Sequence, residues 1–267
     1  MRLKPPDRAL IRREHSLLAM ALLGLCAVIL VLVSPLGRHA IASIDRCTIT
    51  GSANTLDLPL PHLAARLAAG GPVTIIAFGS SSTYGTGASG PDKTYPKRLE
   101  VILNQRYPTV PIRVLNRGVG GEVASNTLQR IDTDAIADHP DLVIWQVGTN
   151  DVLRDIDPAA AEELIRAGIA RMKQAGIDVV LMDLQFAPAI LQHPRYRDME
   201  RDIAAVARAE DVPVIHRFAM MRQWAEAGRM PLSLMLAFDR LHMTDLSYDC
   251  LARQVSGSLA SAVRRKA

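Results

Sequence analysis

Three serines in a row, Ser80-Ser81-Ser82, follow an apolar run that ends in Gly79. A serine hydroxyl is a weak nucleophile. It needs a base to take its proton and donors to hold the oxyanion that attack creates. The segment "FDRLHMTD" places Asp239 three residues before His242. That spacing lets one short turn hold an imidazole base and the carboxylate that orients it. "QVGTND" offers the side-chain amide of Asn150, and "NRGVGGE" offers Gly120 and Gly121, whose backbone N–H groups can approach a ligand closely. The other histidines are placed less usefully: His15 and His39 lie near the N-terminus, and His62, His139 and His193 neighbour prolines. His216 ends an apolar run, where it could be a satisfied core residue.

Other chemistries fail on detail. Gly85 to Gly90 reads G-x-G-x-x-G, but Gly85 lies seven residues beyond Phe78, and "PDKTYP" delays the helix that a pyrophosphate would need. The second apolar run ends in Asn116 where a dinucleotide site wants an acid, and no Lys-Ser/Thr follows the glycines as in a P-loop. The cysteines show no metal-ligand spacing, so zinc is not expected, and a serine–histidine mechanism implies no metal or cofactor. A nucleophile elbow of the G-x-S-x-G type is broken by Thr83, which leaves Ser81 and Ser82 both open as the nucleophile at this point.

Short apolar, β-rich runs recur at "VTIIAF" (73–78), "IRVLN", "LVIWQV", "DVVLMD" and "VPVIH", with helical patterns between them. Strands alternating with helices imply a parallel sheet covered on both faces, with function gathered at the carboxyl ends of the strands. "RFAMMRQWAEAGRM" reads as a helix whose Met and Trp residues are core. Thr244 or Asp245 can cap a last helix.

In their order, "AFGSSSTYG", "LNRGVGGEV", "GTND" and "DRLH" resemble the four blocks of the SGNH hydrolase family, also called GDSL esterases and lipases. The resemblance implies a three-layer, flavodoxin-like α/β fold with a central parallel sheet. It implies Ser81 as nucleophile, His242 as base oriented by Asp239, and an oxyanion hole from the Ser81 N–H, Gly121 (with Gly120 one residue away) and Asn150. The implied activity is a serine esterase that hydrolyses acyl or acetyl esters through an acyl-enzyme, on a small-molecule, lipid or glycan ester. An envelope O-acyltransferase with the same triad and a non-catalytic glycan-binding relative are the alternatives. One position departs from the pattern: Ser80 stands where the first block usually has Asp.

Of 31 basic and 27 acidic residues, six and two lie up to Arg38, leaving 25 of each. A neutral remainder gives no reason to expect a nucleic-acid partner. The N-terminal basic arm leads into "SLLAMALLGLCAVILVLV" (16–33), an uncharged run of near-spanning length. We therefore expect residues 1–42 to be a membrane-targeting helix and signal anchor, and 43–267 the catalytic domain. That domain would sit in the periplasm, or be secreted if "AIA" (40–42) is a cleavage site. In such an oxidising compartment Cys47 and Cys250 are candidates for a disulfide.

Overall fold

The structure, a computed structural model, describes residues 46–265. The expected N-terminal membrane helix and the domain boundary at 42 lie outside the described residues. Among the described residues, no helix is long and apolar enough to cross a membrane.

The five apolar runs are strands: β1 (Val73–Gly79), β2 (Ile112–Gly118), β3 (Leu142–Gln146), β4 (Asp178–Met182) and β5 (Val214–Ile215). They pair in parallel in the order β2-β1-β3-β4-β5. β3 and β4 are buried along their whole length, because helices cover both faces and leave no position for a polar alternation. β2, at the edge, does alternate and turns Arg113 outward.

The helices around the sheet and the nucleophile loop include α1 (Pro61–Ala68), α2 (Ser81–Tyr84), α3 (Tyr95–Arg106), α4 (Ala124–Gln129), α5 (Thr149–Leu153), α6 (Pro158–Gln174), α7 (Tyr196–Ala209), α8 (Arg217–Glu226) and α9 (Asp245–Ala262). α3 packs against α9 and β2, and α1 against β1 and β4. On the other face α6 packs against β4, α4 and α7. Side chains of opposite parity on the strands divide accordingly: Ile75 meets α1, α3 and α9, whereas Phe78 and Trp145 pack together at 6.0 Å on the α6 side.

Two boundaries differ from the sequence reading. β2 runs on through Asn116, Arg117 and Gly118, which pair with Ala77, Phe78 and Gly79. The helical pattern between "IRVLN" and "LVIWQV" breaks after Gln129 and continues as a wider π turn, Asp132–Ile136. Cys47 and Cys250 form a disulfide. Trp224, a buried core residue as expected, donates its indole N–H to the Cys47 carbonyl at 3.1 Å.

This strand order matters for the site. From β1 the chain steps outward to β2 and then returns past β1 to β3, so the direction of winding reverses between β1 and β3. A crevice opens at the carboxyl ends of two strands where winding reverses. Ser81 follows β1 and Asn150 follows β3.

Candidate active site

β1 ends at Gly79, and Ser80 is the N-cap of the single turn α2. The N–H groups of Thr83 and Tyr84 bond to the Ser80 carbonyl, and that of Gly85 bonds to the Ser81 carbonyl. Ser81 is thus the first helical residue, where a backbone N–H has no intrahelical acceptor. Its hydroxyl donates to His242 Nε2 at 2.7 Å. His242 Nδ1–H in turn donates to Asp239 Oδ2 at 2.5 Å. A carboxylate can only accept, so the Asp239 contact puts the proton on Nδ1 and leaves Nε2 free to face the serine.

The turn that presents this pair is built locally. Asp239 Oδ1 accepts the N–H groups of Leu241 (3.0 Å) and His242 (2.9 Å), and Arg240 takes the left-handed conformation between them (φ 56°). Ala237 N–H donates to the His242 carbonyl and Thr244 N–H to that of Met235, closing the turn on itself. Thr244 then caps α9 with Ser247. Partial burial alone would raise the Asp239 pKa, but the bonds from the His242 ring and from two backbone N–H groups outweigh it and hold the carboxyl below its usual range.

Asn150 is the second residue of α5 and is buried. Its amide Nδ2 donates to the Glu122 carbonyl at 2.8 Å, and its neighbour Asp151 accepts the Ala124 N–H at 3.0 Å. The turn of Gly120 and Gly121 after β2 is therefore tied to the loop after β3. Gly121 is half-buried and Gly120 exposed. The structure brings Ser81, His242 and Asp239 into one chain of contacts, and joins Asn150 to the turn that carries Gly121.

Ser82 turns the other way. It is 2 % exposed and donates to Gln146 Oε1 at 3.2 Å, away from the imidazole. Gln146 also answers the question that Ser80 raised. Ser80 N–H and Oγ–H both donate to Gln146 Oε1 at 2.9 Å. A neutral hydroxyl donor facing an amide oxygen replaces the acid of the usual block. Gly79 permits this convergence, since a Cβ there would lie 2.9 Å from the same oxygen.

The G-x-G-x-x-G tail fails as a nucleotide motif but has a structural place of its own. It packs under the histidine turn, and a Cβ on Gly87 (φ 92°) would lie 2.6 Å from the Met243 carbonyl oxygen and 3.1 Å from His242 Cβ. Ser89 donates through N–H and Oγ to Asp245, at 2.7 and 2.5 Å. His216 is not a buried core residue either: its ring is 43 % exposed and its Nδ1 faces Asp183 at 3.3 Å.

Two supporting arginines carry no signal in sequence spacing. Arg130 pairs with Glu122 at 2.6 Å, donates to the Gly79 carbonyl at 3.0 Å, and lies 4.4 Å over the Phe78 ring. Arg217 is wholly buried beneath the serine loop. Beside Asp239 an open groove of about 410 Å³ is lined by Pro188, Leu232, Leu236, Ala237, Arg240 and a fully exposed Phe238. Among the described residues, no cluster of three or more His, Cys, Asp or Glu is placed to hold a metal.

Fold and contacts together define a three-layer α/β protein with a Ser-His-Asp constellation at the carboxyl edge of a parallel sheet. The profile of the non-GDSL lipase-like family matches residues 46–265, and the chain belongs to that family, which is of the SGNH/GDSL type. The arylesterase of Vibrio mimicus is 30 % identical over 112 residues, covering 42 % of this chain and 54 % of its own. The acetylxylan esterase of Geobacillus stearothermophilus is 26 % identical over 188 residues, 66 % of this chain and 81 % of its own. Among solved structures, a two-domain esterase active on acetylated mannans superposes with a TM-score of 0.64 at 21 % identity, over 80 % of this chain and 56 % of that one. This chain thus spans about half the length of the arylesterase and of the two-domain enzyme.

Proposed function

We propose that this chain is a serine ester hydrolase with Ser81 as nucleophile. The observation that carries the reading is the contact chain from Ser81 Oγ through His242 to Asp239, at 2.7 and 2.5 Å. Ser81 Oγ attacks the ester carbonyl carbon while His242 Nε2 takes its proton. The tetrahedral oxyanion is held by the N–H groups of Ser81 and Gly121 and by the Asn150 amide. Collapse breaks the bond to the alcohol oxygen, which leaves with the proton from His242. Water then attacks the acyl-enzyme, giving its proton to His242, and the acid departs as Ser81 regains its hydrogen. Asp239 holds the imidazole tautomer and offsets the charge of the imidazolium.

Relatives described as acetylxylan and acetylated-mannan esterases support a short acyl group on a carbohydrate alcohol as the substrate class. The disulfide supports a place outside the cytoplasm, behind the basic arm and apolar run of residues 1–42. Hydrolysis of a short-chain nitrophenyl ester tests the assignment. Ser81→Ala is expected to lower kcat by about 10⁴-fold or more. Equal rates for the two proteins would sink it. Labelling by a fluorophosphonate separates this enzyme from a non-catalytic binder, and product analysis with added glycan separates hydrolysis from transfer.

A further inference from the structure

Arg217 is the first residue of α8, separated from β5 by His216 alone, and is 0 % exposed. A charged side chain is rarely tolerated at such depth unless its donors are met. Here Nη1 donates to Ser82 Oγ at 2.8 Å, and Nη2 to Thr149 Oγ1 at 3.2 Å and to the Asp183 carbonyl at 2.8 Å. Nε donates to the Leu184 carbonyl at 3.3 Å. Burial lowers its pKa to about 10, with the Asp183 carboxylate opposing the shift, so the group is a cation at neutral pH. Asp183 is itself buried and held in place, because its Oδ1 accepts the Phe218 N–H at 2.9 Å.

The sequence positions of these partners give the contacts their meaning. Ser82 directly follows Ser81, and Thr149 directly precedes Asn150. The Asp183 and Leu184 carbonyls continue β4 at the same edge of the sheet. A guanidinium is a rigid planar fork, so its two arms cannot move independently. A Lys or a neutral side chain at this place could satisfy one loop without fixing the other.

We propose that Arg217 is a positioning residue whose guanidinium sets the separation of the Ser81 loop from the Asn150 loop, and so aligns nucleophile with oxyanion donor. The inference rests on the roles given to Ser81 and Asn150 above. It requires the arms of the fork, not only the charge, to matter for turnover. A misplacement of about 1 Å in a reacting group costs on the order of 10²-fold in rate.

The test measures kcat and KM for a short-chain nitrophenyl ester, fluorophosphonate labelling rate and thermal midpoint. The set is wild type, Ser81→Ala, Ser82→Ala, Thr149→Val, the Ser82→Ala/Thr149→Val double variant and Arg217→Gln, all assayed well below their midpoints. Each arm variant is expected to lower kcat about 10-fold with KM within about twofold, because alignment is lost but substrate binding is not. The double variant, which keeps the cation, is expected to fall about as far as Arg217→Gln, near 10²-fold. If Arg217→Gln does not fold, the double variant carries the test alone. A double variant with a lower midpoint but wild-type kcat would overturn the proposal and leave Arg217 a purely structural clamp. A wild-type protein that neither hydrolyses the ester nor labels at Ser81 would overturn the esterase reading and this inference with it.

Discussion

An imidazole serves as a base only while its other nitrogen is held, and Asp239 holds it through a side-chain bond and two backbone bonds within four residues. Replacing Asp239 by Asn keeps the shape but offers an amide that can stabilise the wrong tautomer. The expected outcome is a loss of about 10⁴-fold in kcat, measured on the same nitrophenyl ester. The substitution has a second signature in stability. The Asp239 carboxyl is held below its ordinary value of 3.8 in the folded chain, so its ionised form stabilises the fold above that pH. This contribution fades as pH falls through the lower folded value. The gap in thermal midpoint between wild type and Asp239→Asn should therefore be full at neutral pH and close in strong acid. It should be small throughout, since Asp239 is 44 % exposed and solvent screens the interaction. A gap that widened on acidification would contradict this account.

At the scale of elements, the site is a meeting of loops and single helical turns at the carboxyl edge of the sheet. The tail after Ser81, with Gly85, Gly87 and Ser89, forms the floor on which the His242 turn rests. Gly87→Ala places a methyl group against the Met243 carbonyl and His242 Cβ, on a backbone with φ of 92°. The turn must shift or the tail must open. We expect kcat to fall about 10-fold or more with a lowered thermal midpoint. An unchanged kcat would mean that the turn is positioned from the α9 side alone. The spacing of glycines in this tail shows no such role along the chain, because nothing local reveals that residues 237 to 245 lie against it.

At the scale of the molecule, the disulfide joins positions 203 residues apart and fastens a lead-in segment ahead of α1 to α9, the helix that starts three residues after His242. Closing so long a loop constrains the unfolded chain strongly, and reduction is expected to cost about 2–5 kcal/mol of stability. Denaturant midpoints with and without reductant measure this. Activity at 25 °C should persist in the reduced protein, because none of the proposed site residues lies in the lead-in segment. Alkylation followed by mass measurement gives an independent check, and free thiols at both Cys47 and Cys250 would count against the bond.

The sequence by itself determined the parallel sheet, because buried strands between helices must be short, apolar and rich in β-branched residues. It also determined the local chemistry of the Asp239 to His242 turn, where three residues of separation suffice for a carboxylate to reach its imidazole. The motif order located Ser81, Gly121 and Asn150 at loops after β1, β2 and β3. Only the tertiary structure decided which serine hydroxyl faces His242, since Ser81 and Ser82 are neighbours in the chain and differ in direction by the geometry of one turn. It alone showed Gln146 accepting the hydrogen bonds of Ser80, and Arg130 and Arg217 bridging loops that lie far apart in sequence. Those contacts arise where strands from distant segments end side by side, and no periodicity or spacing along one chain records such an edge.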